Sequence, residues 1–334
     1  MSVVTATITV GTSPVAVAVD AASHTAYVAN MSDGTVSVID TRTNTVTATI
    51  TVGTNPGGVA VDAASHTAYV TNRGGGTVSV IDTRTNTVTA TIAVGRQPHG
   101  VAVDESAHTA YVANHGAGTV SVIDTRTNTV TDTIKVGRYP GAAAVDAASH
   151  TAYVTSYDDG TVSVIDTRTN TVTKTITVGH AYGVAIDGAS HTAYVTNSDD
   201  GTVSVIDTRS NTVTKTITVG HPYGVAIDEA SHTAYATNHG DGTVSAIDTQ
   251  TNTVTKTITV GAWPYGVAVD EPAHTAYVIN YGDGTVSVID TRTNTVTNTI
   301  TVGKSPEGVA VDPTTGTVYV ANAGDNTVSV ISAR

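Results

Sequence analysis

A unit of 41 or 42 residues recurs eight times along this 334-residue chain, and no linker or composition shift interrupts it. The second copy runs from Pro56-Gly-Gly-Val-Ala-Val-Asp62 through Thr67-Ala-Tyr-Val-Thr-Asn72 and Thr77-Val-Ser-Val-Ile-Asp82 to Thr87-Val-Thr-Ala-Thr-Ile-Ala-Val-Gly95. One tyrosine per copy marks the register, at Tyr27, Tyr69, Tyr111, Tyr153, Tyr194, Tyr235, Tyr277 and Tyr319. A period in this range signals a repeat architecture in which each unit buries its apolar faces only by stacking on its neighbours. The expectation is therefore one domain spanning 1–334.

Each copy contains four short runs of period-two alternation separated by turn formers, the pattern of an antiparallel meander. In the first copy the predicted strands are A, 16–20; B, 25–30; C, 35–40; and D, 45–52. Strand D puts Val46, Ala48, Ile50 and Val52 on one face and Thr45, Thr47, Thr49 and Thr51 on the other. A threonine face tolerates water, so D suits an outer edge and the more apolar A an inner position. Four-stranded repeats of this length predict an all-β, eight-bladed β-propeller. Residues 2–10 match strand D, and the last copy stops after strand C at Ser329-Val330-Ile331. The N-terminal strand is thus predicted to complete the last blade and close the ring.

Tyr-Val-Thr-Asn at Tyr69 to Asn72 and at Tyr194 to Asn197, set in this repeat, resembles the motif of the YVTN β-propeller repeats. The resemblance covers essentially the whole chain and implies a propeller fold. More distantly the chain is similar to streptogramin (virginiamycin B) lyase-type propellers, which use histidine and glutamate at the channel mouth. No residue-level motif transfers those positions to this sequence.

A formal net charge of −13 disfavours nucleic acid as a partner, and the absence of cysteine excludes disulfides and thiolate-ligated metals. No run approaches the roughly 20 apolar residues of a membrane helix, and Met1 leads directly into a strand-like segment without a leader pattern. The expected protein is soluble, cytoplasmic and monomeric, with a secreted or cell-surface site if a leader precedes these residues.

Antiparallel order places the A-to-B and C-to-D turns on one face and the D-to-A and B-to-C connections on the other. The first face is uniform. Seven copies carry an Asp-x-x-x-His turn, beginning with Asp20 and His24, and the last carries Asp312 with Gly316. A turn device explains such repetition better than seven equivalent catalytic sites, with the aspartate and histidine expected to fix the turn and satisfy each other. On the opposite face the D-to-A loops vary, and the B-to-C turns add Arg73, His115, Tyr157, His239 and Tyr281. All six tyrosines outside the marker series lie there, as do the single tryptophan and the five histidines outside the turn series. That confinement predicts a ligand site, by default at the channel mouth.

General acid-base chemistry needs groups that titrate near neutrality or hold a proton at the reacting atom. The candidates are His99, His180, His221, Tyr223 and Glu307. Arg73, Arg96 and Arg138, with Lys304, form a cationic set suited to an anionic group. Tyr139, Tyr157, Tyr182, His239, Trp263, Tyr265 and Tyr281 offer flat apolar area, and the tyrosines add phenolic hydroxyls. The set fits a lyase, cyclase or hydrolase acting on a small polar or anionic molecule. A divalent metal held by the same imidazoles or by Asp159, Asp200, Asp241 and Asp283 is a competing use, and no other cofactor is expected. The alternative is a non-catalytic scaffold that docks a protein or glycan.

Overall fold

The computed structural model describes residues 2–332. Its strands form eight four-stranded antiparallel sheets, each in the order A-B-C-D, and no helix occurs among the described residues. The fold is all-β, with eight blades. By compactness the chain divides into two units, Val10–Thr177 with blades 1 to 4, and Met1–Thr9 with Val178–Arg334, holding blades 5 to 8.

In the first unit, blade 1 comprises Pro14–Asp20, Thr25–Asn30, Thr35–Asp40 and Thr45–Thr51. Strand A starts two residues earlier than its alternation predicts, which places a residue assigned to the loop inside the strand. Strands B and C pair without interruption, from Thr25 opposite Asp40 to Asn30 opposite Thr35. Strands A and B do not: the register slips after Pro14. The same slip follows Pro56, Pro98 and Pro140. Such a bulge leaves the residue after the proline outside the ladder and redirects its side chain.

The core lies between blades. Tyr27, Val36, Val38 and Ile50 of blade 1 pack with Ala68, Val70 and Ile81 of blade 2. The small β-branched residues suit close sheet stacking, while the marker tyrosine supplies bulk and a polar tip. Tyr27 is fully buried, and its hydroxyl donates to Asn86 Oδ1 at 3.1 Å in the next blade's C-to-D hairpin. Tyr69 and Tyr111 repeat the bond to Asn128 and Asn170.

The second unit repeats this pattern through Tyr194 to Asn252 and Tyr235 to Asn294. Its last sheet contains Pro306–Val311, Val318–Asn322 and Thr327–Ser332, with Val3–Thr9 as the outer strand. The pairing runs from Val3 opposite Ser332 to Thr9 opposite Thr327, as the leftover strand-D sequence predicts. Asn298 donates to the Ser2 carbonyl at 2.7 Å and ties the added strand to blade 7.

The uniform face is built from turns, by a mechanism that differs from the expected Asp-His pairing. Asp20 Oδ1 accepts the amides of Ala22 and Ser23, and Asp62 and Asp187 cap their turns in the same way. The histidine instead occupies a left-handed backbone position, with φ of 54° at His24 and 53° at His66. Blade 8 has Gly316 there at φ 68°, so the shared requirement is conformational and the imidazole is dispensable.

Candidate functional site

The bulge position carries the variation. In the first unit it holds Val15, Gly57, His99 and Gly141, and in the second Tyr182, Tyr223, Tyr265 and Glu307. These eight residues occupy equivalent places in otherwise near-identical strands. The loops that lead into them are clamped from the adjoining turn. Asn72, last residue of the Tyr-Val-Thr-Asn run, donates to Thr77 and Ser79 and accepts the Gly53 amide at 3.0 Å. Asn114 does the same for Gly95. Blade 4 has Ser156 at this place, and its hydroxyl is buried without a hydrogen bond.

In the second unit the bulge residues meet. The Tyr182 and Tyr265 hydroxyls are 2.7 Å apart, and the Tyr223 ring lies 4.6 Å from Tyr182 and 5.7 Å from Tyr265. Burial, reinforced by the neighbouring phenols and Glu307, drives the Tyr182 phenol well above its ordinary value. Tyr265 is raised by burial too, against the lowering effect of its bond to Tyr182. Burial also raises the half-buried Glu307 carboxyl. The cluster thus holds protons tightly: two linked phenols and a carboxyl biased toward its neutral form.

The rings continue outward from Tyr223 to His239 at 4.8 Å and from His239 to Trp263 at 6.0 Å, the last two stacked at 14°. Tyr281 lies 6.4 Å beyond Trp263. His239 is held below the ordinary imidazole value by burial and by His221. Trp263 is 53% exposed, with a left-handed backbone at φ 55°.

The first unit repeats that ladder with different residues. His99 lies 6.1 Å from His115, which stacks on Tyr139 at 4.8 Å and 23°. His99, His115 and Tyr139 match Tyr223, His239 and Trp263 position for position. Tyr139 is again exposed, at 44%, and left-handed, at φ 53°. Equivalent loop positions elsewhere hold Ser13, Asn55, Gln97 and Ser305, also at positive φ. A bulky aromatic in this backbone region costs on the order of 1–3 kcal/mol. His99 is exposed to solvent yet surrounded by protein, and desolvation, Arg73 and His115 lower its pKa against a hydrogen bond to the Gly141 backbone. His115 is lowered by burial and then by Arg73, and its Nδ1 is buried without a partner. The sequence places His115 on the varied face without assigning it a role; its equivalence to His239 was the available signal.

The basic residues are largely engaged. Arg138 pairs with Asp159 at 2.7 Å and Asp158 at 3.2 Å, and Arg96 donates to the Gly116 carbonyl at 2.9 Å. Lys304 lies 4.0 Å from Asp325. Arg73 is exposed near His99 and His115. Tyr157 donates its amide to the Tyr139 carbonyl at 3.2 Å, which fixes the turn behind that ring. His180 Nδ1 is 3.1 Å from Asp200 and His221 Nδ1 is 3.9 Å from Asp241.

The turn aspartates have a structural task. Asp159 accepts the Arg138 amide, Asp200 that of His180, Asp283 that of Ala262 and Asp325 that of Lys304. Among the described residues no three histidine, aspartate or glutamate side chains gather as a metal-ligand group. Within the second unit a cavity of about 500 Å³ lies between Tyr281, Asp283, Lys304, Ser305 and Asp325. Related grooves of about 250 and 320 Å³ recur in the first unit, so this feature belongs to the repeat. No helix among the described residues is long and apolar enough to cross a membrane.

No family model and no curated protein sequence matches the chain. Solved structures do resemble it. Hydrazine synthase from Kuenenia stuttgartiensis matches with a TM-score of 0.69 at 20% identity, over 95% of each chain. The computationally designed Ika8 protein matches with a TM-score of 0.80 at 16% identity, over 97% of this chain and 98% of its own. The dihydro-heme d1 dehydrogenase NirN, in complex with DHE, matches with a TM-score of 0.75 at 15% identity, over 98% of this chain and 78% of its own. At these identities the likeness establishes the shared fold, an eight-bladed β-propeller.

Proposed function

We propose that this chain is a small-molecule-binding propeller of the YVTN-repeat type, and that Tyr182, Tyr223, Tyr265 and Glu307 form an acid-base site for a small polar organic substrate. The carrying observation is that these four divergent residues occupy equivalent bulges of near-identical strands and that two of their hydroxyls meet at 2.7 Å. Phenols with raised pKa values remain protonated at neutral pH and donate hydrogen bonds to an oxygen that gains negative charge. Glu307, whose carboxyl burial shifts upward, is suited in its protonated form to deliver a proton to a leaving group. This combination favours elimination or cyclisation through an enolate or alkoxide. His99, with its lowered pKa, is a neutral base candidate in the first unit. Arg138 is assigned to loop support, since two aspartates compensate its charge.

Two of the similar folds, hydrazine synthase and NirN, are enzymes by name, and NirN was solved in complex with DHE. This supports the use of the architecture as a ligand-binding frame. The test is a metabolite screen on the wild-type protein, followed by Tyr265→Phe and Glu307→Gln. The reading requires that turnover of a hit be lost in both variants while each variant remains folded in the absence of ligand.

A further inference from the structure

We propose that Trp263 and Tyr139 are stacking platforms for the pyranose rings of neutral oligosaccharides, one in each unit. Only three large apolar side chains among the described residues are exposed, and two of them are these aromatics, at the same loop position of blades 7 and 4. Both stand on a left-handed backbone and both are backed by a histidine from the preceding blade, His239 behind Trp263 and His115 behind Tyr139. The histidine ring lies 6.0 Å from Trp263 and 4.8 Å from Tyr139, and Tyr281 adds a further ring 6.4 Å from Trp263, while roughly half of each residue faces solvent. A bulky ring at a left-handed position that other blades fill with Ser13, Asn55, Gln97 or Ser305, braced by a neighbouring ring and still half exposed, is prepared for a partner.

The occupant follows from the surroundings. Neither ring belongs to a contiguous exposed apolar patch, which argues against a protein interface. The aspartates Asp283, Asp158 and Asp159 lie on the adjoining B-to-C turns, and the net charge is −13, so an anionic polymer is repelled. A pyranose lays its apolar C–H face on a single ring, keeps its hydroxyls in water, and can donate to nearby carboxylates. The inference is independent of the phenol cluster, because neither platform includes Tyr182, Tyr265 or Glu307.

Trp263 is the only tryptophan, so intrinsic tryptophan fluorescence reports on this platform alone. Titration with cellohexaose, maltohexaose and chitohexaose is expected to change its emission saturably for at least one sugar, and calorimetry with that sugar to show two sites per chain. Tyr139→Ala should leave the fluorescence titration unchanged while removing one calorimetric site. Trp263→Ala should remove the other, with roughly tenfold weaker binding in place of total loss also supporting the assignment. Trp263→Phe should retain most of the affinity. No response to any of these sugars, a response to a planar aromatic dye alone, or sugar binding indifferent to both alanine variants would overturn the proposal. Retained sugar binding in Tyr265→Phe would separate this site from the acid-base site.

Discussion

Tyr182 and Tyr265, two blades apart in sequence, place their hydroxyl oxygens 2.7 Å from one another at the inner bulges of near-identical strands. One phenol must donate and the other accept, so one hydroxyl proton is shared within the pair. Either Tyr182→Phe or Tyr265→Phe removes that arrangement without removing the ring. Each should lower stability by only about 1 kcal/mol, the scale of one neutral hydrogen bond, measurable by denaturant unfolding.

Glu307 titrates against its burial. Because its folded pKa lies above its unfolded value, it contributes most to stability at acid pH, and that contribution is lost as pH rises through the folded pKa. Glu307→Gln should therefore melt above the wild type at neutral pH, with the gap closing as the pH falls below the ordinary glutamate range. Melting curves across pH check this, and a gap that widens toward acid would refute it.

His99 and His115 have the opposite sign. Their folded pKa values are depressed, so the stability they contribute is present above the ordinary imidazole range and lost as pH falls through the folded values. The double variant His99→Gln with His115→Gln should flatten the decline of melting temperature below that range. An unchanged acid limb would show that the imidazoles are not desolvated.

The N-terminal strand, Val3–Thr9, completes the last sheet against Thr327–Ser332. Deleting residues 2–10 should cost several kcal/mol and expose an unpaired edge, because a full ladder and its packing are removed. Size-exclusion chromatography and thermal melting check it, and a truncated protein that stays monodisperse at the wild-type melting temperature would contradict the pairing.

Much of this fold was legible because the apolar-threonine alternation leaves little freedom of register. Shifting a strand by one residue would turn Val46 and Ile50 outward and Thr47 inward. The extra strand-D sequence at residues 2–10 likewise had one evident partner. The bulge was not legible: Pro14 looked like a loop residue, and alternation does not show that Val15 and its equivalents leave the ladder. At the site, aromatic and histidine enrichment on one face could be read directly, whereas pairing could not. The sequence offers Arg138 as an anion ligand but does not show its ion pairs with Asp158 and Asp159, nor that turn aspartates such as Asp159 accept loop amides. Such assignments depend on distances of a few ångströms between residues about 20 positions apart.

The most direct test of the proposed acid-base site is turnover of a screened substrate by wild type, Tyr265→Phe and Glu307→Gln under identical conditions. The account predicts losses of roughly two to four orders of magnitude in kcat for Glu307→Gln and a smaller but clear loss for Tyr265→Phe, with folded protein throughout. A substrate turned over equally well by all three proteins would place the chemistry elsewhere.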